Sequence, residues 1–569
     1  MTDERAQARL LTATFFRRLF ESELMPPGLG QVQLVVATIA FLAAPSAILP
    51  LLLAKKYMFL HGEALRVGMA QDRLIAILLS MTASALVTLV IWENIFPDRR
   101  DSRHLGVLPI RLRTFVAARL AALVGLFSVV FLGPALLSAI SFGIVGVAFS
   151  KDLGFVQFAF GHFATVAAAE AFVFFGIVAA QCIGLSLFGP NVAQRGAVAV
   201  QVLLVILLLQ MPMLLPPGSS YLLQADGAPA WRDIGLVVAS PPFWFLSLFD
   251  CVAGYGCGAL APLPQVAAAL GIGTPVGALV LYAASYRRLT RLAIEGRPLS
   301  ARGAWSGLRA GTSWLVAGSA QAPAAVAVCG FTLRTLIRSR QHRMLLAGWL
   351  GLALALILSS MVSLVVRSGI RAFAHPRTEP LAAPLILAVL VLAGMRMIMA
   401  LPTEVKANWV FRLGQPLDLT AALDGAAAAL VIAGVLPAVL LGWVSATWLW
   451  GPLVGIQHAV FVGCVGYLVV QLLMHGVDKL PFTCTYYPGR AKFTRFWPAY
   501  LTAFTTLTYT AAALEAAVLS SPRGYAILIV GVGGAAAALR WSRRRGARRL
   551  PALRFEEEPV EQMTVVTLN

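Results

Sequence analysis

Hydrophobic residues are grouped along this chain into long runs, and short polar segments separate one run from the next. A helix needs about twenty apolar residues to cross a hydrocarbon core about 30 Å thick, because each residue adds about 1.5 Å to its length. The pattern therefore predicts an all-α membrane protein with about twelve transmembrane helices. The predicted helices cover approximately residues 32–54, 74–92, 115–148, 158–188, 197–215, 264–284, 344–366, 381–400, 419–444, 453–474, 497–519 and 525–539.

Two further segments have the amphipathic pattern of helices that lie on a membrane surface. Residues 10–20, LLTATFFRRLF, place a set of apolar side chains along one side of a helix, with Arg17 and Arg18 off it. Residues 331–343, FTLRTLIRSRQHR, are a second basic segment, directly before the seventh predicted helix. We predict an interfacial helix at each place, because an apolar side and a basic side together favour the membrane surface. The apolar set of the first segment is Leu11, Phe15, Phe16, Leu19 and Phe20.

Prolines interrupt the pattern at two informative places. Residues 216–262 form a long connection on the predicted external side, and within it residues 240–250, SPPFWFLSLFD, are apolar but too short to span. Such a segment is typical of a re-entrant or interfacial piece. Pro134 lies inside the third predicted helix, where we expect a kink, because proline cannot donate the backbone hydrogen bond.

The distribution of arginine and lysine predicts the orientation. Basic residues cluster after the second, sixth, eighth and tenth predicted helices and in the C-terminal tail, with a weaker signal at Arg195 after the fourth. The positive-inside rule therefore places these loops and both termini in the cytoplasm. One loop disagrees, because the predicted external connection between the first two helices also carries four basic residues. They are Lys55, Lys56, Arg66 and Arg73.

Composition supports the membrane assignment. Of 569 residues, 59% are hydrophobic and 12% charged, and the mean hydropathy is +0.80; soluble chains carry about 25% charged residues. The net charge of +20 suggests nucleic acid at first sight, but the basic residues lie beside the apolar runs, where they fix orientation, so we expect no nucleic-acid partner. About thirty mostly polar or amphipathic residues precede the first run, so we expect no cleavable signal peptide there.

The two halves of the chain follow the same plan. Each begins with a basic interfacial segment, and each has a proline, Pro109 or Pro416, in the loop before its third helix. Two six-helix units in parallel orientation would be related by an axis along the membrane normal. We therefore divide the chain into residues 1–300, residues 301–542 and a basic-then-acidic cytoplasmic tail at 543–569.

Motifs for catalysis are missing from the sequence. It contains no GxxxxGK[ST] phosphate loop, no HExxH and no GxSxG, and its seven histidines do not cluster. We expect no enzyme activity in this chain and no cofactor or metal. Four of the six cysteines are scattered like small buried hydrophobic residues, whereas Cys251 and Cys257 share the predicted external segment and could form a disulfide.

The loop at residues 93–113, ENIFPDRRDSRHLGVLPIRLR, is the richest polar feature of the chain. Acidic and basic residues alternate in it, whereas orientation alone requires only basic residues. Such a mixture suits docking against a charged protein surface, and a solvated run of charges is an equally good explanation. The charged residues are Asp98, Arg99, Arg100, Asp101, Arg103, Arg111 and Arg113.

Few polar groups fall at membrane depth. Glu170 lies near the middle of the fourth predicted helix, Glu515 toward the outer end of the eleventh and Asp424 near the inner end of the ninth. A buried carboxyl group is a candidate for proton coupling, or a hydrogen-bonded link between helices. Arg119 and Arg396 lie close enough to cytoplasmic helix ends for their charge to reach water.

One side of the eleventh predicted helix carries hydroxyl groups and could line a substrate path. Threonines in membrane helices more often bond to their own backbone, and we favour that explanation. The hydroxyl residues are Thr502, Thr505, Thr506 and Tyr509.

Three polar segments carry a family resemblance: ENIFPDRRDSRHLGVLPIR, LPTEVKANWVFRL and LPFTCTYYPGRAK. They resemble segments of a family of large bacterial membrane proteins, which in turn resembles ABC-transporter permeases of the type-2 exporter class with two permease units fused in one chain. The resemblance implies interfacial helices, a partly inserted external segment before the sixth helix, and cytoplasmic loops that dock on an ATPase. The second half departs from it, because its corresponding external connection, SSPRGY, is short. The implied docking residues are Asp98, Arg99, Arg100, Asp101, Arg111, Glu404, Lys406 and Arg412.

These observations favour one function and leave two open. The first is the membrane-spanning subunit of an ABC-type exporter in a bacterial cytoplasmic membrane, driven by a separate ATPase subunit, expected as a homodimer. The second is an ion-gradient-driven secondary transporter, in which Glu170 would be essential. The third is a membrane-embedded enzyme acting on lipid-linked substrates, which requires paired polar groups that the sequence does not reveal.

Overall fold

The computed structural model describes residues 2–19, 47–52, 54–92, 94–95, 110–149, 153–223, 240–254, 262–295, 322–401, 419–477, 479–483, 504 and 506–548. Within these ranges the chain is almost wholly helical and contains no β-strand. It divides into two compact units, Met1–Leu299 and Ser300–Asn569. Each unit is described by itself.

Unit 1 is built around its fourth helix. This helix packs against α2, α3, α5 and α6, while α1 packs against α3. The helices of unit 1 whose bounds the structure describes include α1 (Thr2–Leu19), α2 (Gly62–Val90), α3 (Leu112–Phe149), α4 (Phe155–Leu223), α5 (Pro241–Ala253) and α6 (Leu263–Glu295).

Unit 2 repeats much of this packing order. Its α11 packs against α9, α10 and α13, and its first helix, α7, packs against α10 in the way that α1 packs against α3. The helices are α7 (Pro323–Arg338), α8 (Arg340–Ser368), α9 (Thr378–Ile398), α10 (Leu419–Trp450), α11 (Pro452–Leu473), α12 (Ala511–Val518) and α13 (Pro522–Arg548).

Nine helices in the described part of the chain are long and apolar enough to cross a membrane. They match nine of the predicted helices to within a few residues at most ends, which supports a multi-pass membrane protein. The other three predictions, at 32–54, 197–215 and 497–519, lie partly outside the described residues or correspond to shorter apolar stretches, Ala199–Gln210 and Leu507–Val518. We predicted two separate helices at 158–188 and 197–215. The backbone instead stays helical throughout α4, so the predicted break between them was wrong.

A π-helical stretch interrupts α3 in unit 1 and α10 in unit 2. In α3 it covers Ser128–Leu132 and is followed by Pro134; in α10 it covers Val431–Val435 and is followed by Pro437. Proline lacks the N–H group that would bond to the preceding turn, so the helix accommodates it by widening locally. The disturbance predicted at Pro134 therefore exists, and it recurs at the corresponding place in unit 2.

The two basic segments pack on protein helices. Leu11, Phe15 and Leu19 of α1 are buried in a cluster with Ala118 and Ala122 of α3. The prediction that this apolar side lies on the membrane was wrong, because α3 covers it. The second segment also differs from the prediction: a break at Ser339 assigns residues 331–338 to α7 and residues 340–343 to the start of α8.

The apolar segment before the sixth helix is α5. At 13 residues it is about 20 Å long, too short to span, as predicted. Phe245 and Phe249 are fully buried against neighbouring helices of unit 1. The segment is thus a short helix packed among longer ones.

Candidate functional site

The predicted docking residues are mostly outside the described residues, namely Asp98, Arg99, Arg100, Asp101, Glu404, Lys406 and Arg412. Arg111 is described and stands at the first turn of α3, with 79% of its side chain exposed. Its Nη1 lies 2.7 Å from Oε1 of Glu4 on α1. An exposed pair of this kind contributes little energy, but it shows that α1 begins beside the end of the predicted docking loop.

The beginning of the same loop is attached to three helices. Arg119 of α3 donates from Nη2 to the backbone carbonyl of Asn94 over 3.1 Å, and the Tyr282 hydroxyl of α6 donates to the carbonyl of Ile95 over 2.8 Å. The side-chain amide of Asn94 in turn donates from Nδ2 to the backbone carbonyl of Leu19, the last residue of α1, over 3.4 Å. Movement of this loop would therefore be transmitted to α1, α3 and α6.

Arg119 is enclosed by protein. Its side chain is 3% exposed, and its guanidinium lies 4.6 Å from the centre of the Phe15 ring. The sequence suggested that the charge reaches water at the helix end; the structure corrects this, because Phe15 and the Asn94 carbonyl bind the guanidinium inside unit 1. Arg396 also contacts protein, donating from Nε to the carbonyl of Leu473 over 3.1 Å.

The predicted docking loop of unit 2, which follows α9, begins in a comparable way. Nε2 of His342, in the first turn of α8, lies 3.1 Å from the carbonyl of Leu401, and its Nδ1 lies 2.6 Å from Oγ of Ser339. A carbonyl can only accept, so Nε2 carries the hydrogen. The backbone N–H of Phe482 donates to the carbonyl of Met399 over 2.8 Å. In both units, a side chain from a neighbouring helix thus binds the backbone where the predicted docking loop starts.

The predicted substrate-path residues are only partly described. Glu170 is buried in α4, and its Oε2 makes no hydrogen bond within the part of the chain that the structure describes. Tyr509 is 36% exposed. Thr506 belongs to a π-helical stretch, Thr506–Thr510, but its side chain is outside the description, as are Thr502 and Thr505. The structure therefore does not bring Glu170 together with the hydroxyl residues, and their joint role stays a prediction.

A buried acid–base pair in unit 2 was not predicted from the sequence. Nδ1 of His458 on α11 lies 2.8 Å from Oε1 and 3.0 Å from Oε2 of Glu515 on α12. The side chains are 1% and 0% exposed. The sequence places the Glu515 carboxyl group at membrane depth, but nothing in it links this residue to a histidine 57 positions earlier.

A second polar cluster, which contains the buried Arg543, joins three helices of unit 2. Asp424 of α10 accepts hydrogen bonds from Nη2 of Arg543 over 2.5 Å and from Nη2 of Arg544 over 2.6 Å. Nε of Arg543 also donates to the side-chain oxygen of Gln471 on α11 over 3.1 Å. Asp424 was predicted near the inner end of its helix, and Arg543 and Arg544 in the basic region at the end of the last helix. The structure brings these residues to one end of unit 2.

Ion pairs in unit 1 explain the loop that disagreed with the positive-inside rule. Lys56 lies 3.2 Å from Oδ1 of Asp72, which also accepts a 2.6 Å hydrogen bond from the Tyr57 hydroxyl at Oδ2. Burial and the neighbouring Asp72 carboxylate raise the pKa of Tyr57 far above its ordinary value, so the phenol stays protonated. Lys56 therefore does not act as an isolated positive charge.

Arg73 has a carboxylate partner on the short helix α5. Its Nη1 lies 3.6 Å from Oδ1 of Asp250, and its guanidinium is 3.9 Å from the centre of the Phe249 ring. Burial raises the pKa of Asp250, and the Arg73 charge opposes that rise. Two of the four basic residues that fit the external side poorly are thus paired with carboxylates inside unit 1.

The cysteines follow the expectation where they are described. Cys182 and Cys329 are free and buried, and Cys464 is free and partly buried. Cys251 is disulfide-bonded. Cys257 lies outside the described residues, so its pairing with Cys251 stays a prediction.

Within the described ranges, no three histidine, cysteine, aspartate or glutamate side chains lie close enough together to hold a metal ion. Comparison of the chain with protein-family models, with curated proteins and with solved structures finds no match. The assignment to a function therefore depends on the geometry above and on the sequence resemblance.

Proposed function

We propose that this chain is the membrane-spanning permease subunit of an ABC-type exporter in a bacterial cytoplasmic membrane, driven by a separate ATPase subunit. Both termini and the loops at 93–113 and 402–418 lie on the cytoplasmic side in this proposal. The nine apolar helices in the described ranges support the membrane part of it. The sequence resemblance supports the transporter class.

The observation that carries the proposal is the attachment of both docking loops. A subunit driven by a partner must transmit force from the partner's contact surface to its membrane helices. Arg119 and Tyr282 bind the backbone at Asn94 and Ile95, and His342 binds it at Leu401. A displacement of either loop would consequently move the attached helices, because these hydrogen bonds join the loop backbone to buried side chains of those helices.

The proposal is tested by purifying the chain natively and identifying co-purified proteins by mass spectrometry. An ATPase with a phosphate-binding loop should accompany the wild type, and the double reversal Arg99→Glu, Arg100→Glu should remove it, because like charges would then face each other across the docking surface. The matched control is Arg371→Glu, Arg377→Glu, which reverses two exposed arginines of the predicted external connection between α8 and α9. Absence of an ATPase from the wild type, or equal loss in both variants, would reject the proposal.

Glu170 favours a second candidate, an ion-gradient-driven secondary transporter. An intramembrane carboxyl group without a hydrogen bond to Oε2 in the described structure can bind and release a proton during transport. This candidate predicts proton movement into vesicles that contain the purified chain alone, and loss of that movement in Glu170→Gln. The exporter proposal predicts no such movement without the ATPase.

A further inference from the structure

The two units carry a histidine at corresponding places. His162 of α4 is buried against α3, and His458 of α11 is buried against α10, each about one helical turn after the proline of that helix. His162 Nε2 lies 3.0 Å from Oγ of Ser138. The polar partner in unit 2 is instead the Glu515 carboxyl group, so only this histidine forms an acid–base pair.

The geometry of the pair allows it to hold one proton. Nδ1 of His458 lies within 3.0 Å of both carboxyl oxygens of Glu515, and both side chains are enclosed. With one proton between them the pair has no net charge, whether the imidazole or the carboxyl group carries it. Two protons or none would leave a net charge in an apolar interior, which is costly.

Among the residues that the structure describes, the surroundings of the pair contain no positive charge that would compensate such a change. Tyr525 of α13 interacts electrostatically with Glu515 and with Cys464 of α11, and its hydroxyl donates to the Gln457 carbonyl over 2.6 Å. Glu379 of α9 interacts with Tyr509, on the residues leading into α12. Within the described ranges, no lysine or arginine interacts with the pair.

Glycine provides the space that the imidazole occupies. A Cβ atom at Gly442 of α10 would lie 3.3 Å from Nε2 of His458 and 3.3 Å from Cγ of Pro384 on α9. Neither Gly442 nor Pro384 offers a titratable group. The ring therefore lies against Gly442 of α10 on one edge and is hydrogen-bonded to α12 on the other.

Separation of α12 from α11 would change the number of bound protons. In water a glutamate titrates near pH 4.3 and a histidine near pH 6.5, so above pH 7 the separated residues together hold much less than one proton. The carboxylate would stay ionised, and the imidazole would release its proton to water. We propose that His458 and Glu515 form a proton-binding site in unit 2, which takes up one proton from solution each time α12 closes against α11.

This proposal goes beyond the exporter function and does not depend on it. It is tested by hydrogen–deuterium exchange of the amides in Leu507–Val518 in the full-length protein in lipid nanodiscs. Protection factors are used, so that the chemical pH dependence of exchange cancels. Because closing binds one proton, protection should fall by up to about tenfold per pH unit above pH 7 and level off below about pH 6.

Two variants separate this site from a general effect of pH. Glu515→Gln should lose the fall in protection above pH 7, because the amide cannot titrate and an enclosed His458 alone holds no extra proton. His162→Gln should keep the wild-type slope, because His162 is hydrogen-bonded to Ser138 in unit 1 and not to α12. His458→Gln is the second variant if Glu515→Gln does not fold. A lone Glu515 would close as a neutral carboxyl group, so the slope should persist and extend toward about pH 4.3, whereas the wild type levels off below about pH 6. A flat wild-type profile, or a full slope in Glu515→Gln, would overturn the proposal.

Discussion

Arg119 of α3 reaches the backbone carbonyl of Asn94 through a 3.1 Å hydrogen bond, and this contact joins the third helix of unit 1 to the start of its largest polar loop. The guanidinium is covered by the Phe15 ring of α1 on one face. A single buried cation thus holds together α1, α3 and the loop. In the proposed exporter, this is the route by which an ATPase would move the helices.

Arg119→Met tests this attachment directly. The substitution keeps an apolar stem but leaves the Asn94 carbonyl without its side-chain donor, so we expect a loss of about 1–3 kcal/mol of stability. Thermal unfolding of the protein in detergent measures the change. Arg113→Met is the control, because Arg113 is exposed on the same helix. Equal unfolding temperatures for the two variants would contradict the role of Arg119.

Gly425 allows α7 and α10 to approach closely. A Cβ atom at this position would clash with the backbone oxygen of Ala325, which cannot rotate away. We expect Gly425→Ala to destabilise unit 2 by about 1–3 kcal/mol through overpacking.

Gly348→Ala is the matched control for this substitution. Gly348 lies within α8, and a Cβ atom added there would meet no neighbouring atom within 4 Å. Alanine is the better helix former, so the control should unfold at the same temperature or slightly higher. Both variants are compared by thermal unfolding, and a stable Gly425→Ala protein would show that α7 does not need this contact.

Asp424 should contribute more to stability than Glu4, a more exposed carboxylate whose distance to its arginine partner is similar. Asp424→Ala leaves the buried Arg543 without its carboxylate, so we expect a loss of about 1.5–3 kcal/mol and faster trypsin cleavage in the arginine-rich end of α13. Glu4→Ala removes the partner of the exposed Arg111 and should have little effect. Similar losses in the two variants would contradict the burial argument.

Asp250 should make stability depend on pH in mildly acidic solution. Its pKa is raised by burial, so its contribution to stability is fully present below the unfolded pKa and declines as pH rises through the folded pKa. Without the opposing charge, Arg73→Gln should raise that pKa further and move the decline to higher pH. Unfolding temperatures measured between about pH 4 and 7 test this. Asp250→Asn should remove the decline, and an unchanged profile in Arg73→Gln would argue against the pairing.

The membrane helices could be predicted from the sequence because their signal is local. A run such as residues 381–400 is apolar along its length, and the structure has a helix at Thr378–Ile398. The helix disturbance at Pro134 could be predicted for the same reason, since a proline affects the turn directly before it. The basic segments were harder to interpret, because an amphipathic helix has the same pattern whether lipid or α3 covers its apolar side.

The pairs between residues far apart in the sequence could not be predicted, because they depend on how helices rotate and pack. His458 and Glu515 are 57 positions apart, and Asp424 and Arg543 are 119 apart. Each residue alone is an ordinary polar residue near a helix end or in a membrane segment. The contact between Arg119 and Asn94 was hidden for a different reason, since its acceptor is a backbone carbonyl that any residue could supply.

Site-specific photo-crosslinking in cells tests the exporter proposal most directly. A photoreactive amino acid is placed at Arg100, in the predicted docking loop, and in a separate protein at Arg371, in the predicted external connection. The account predicts that position 100 captures an ATPase with a phosphate-binding loop, identified by mass spectrometry, and that position 371 does not. Capture of no ATPase at position 100, or equal capture at both positions, would contradict it.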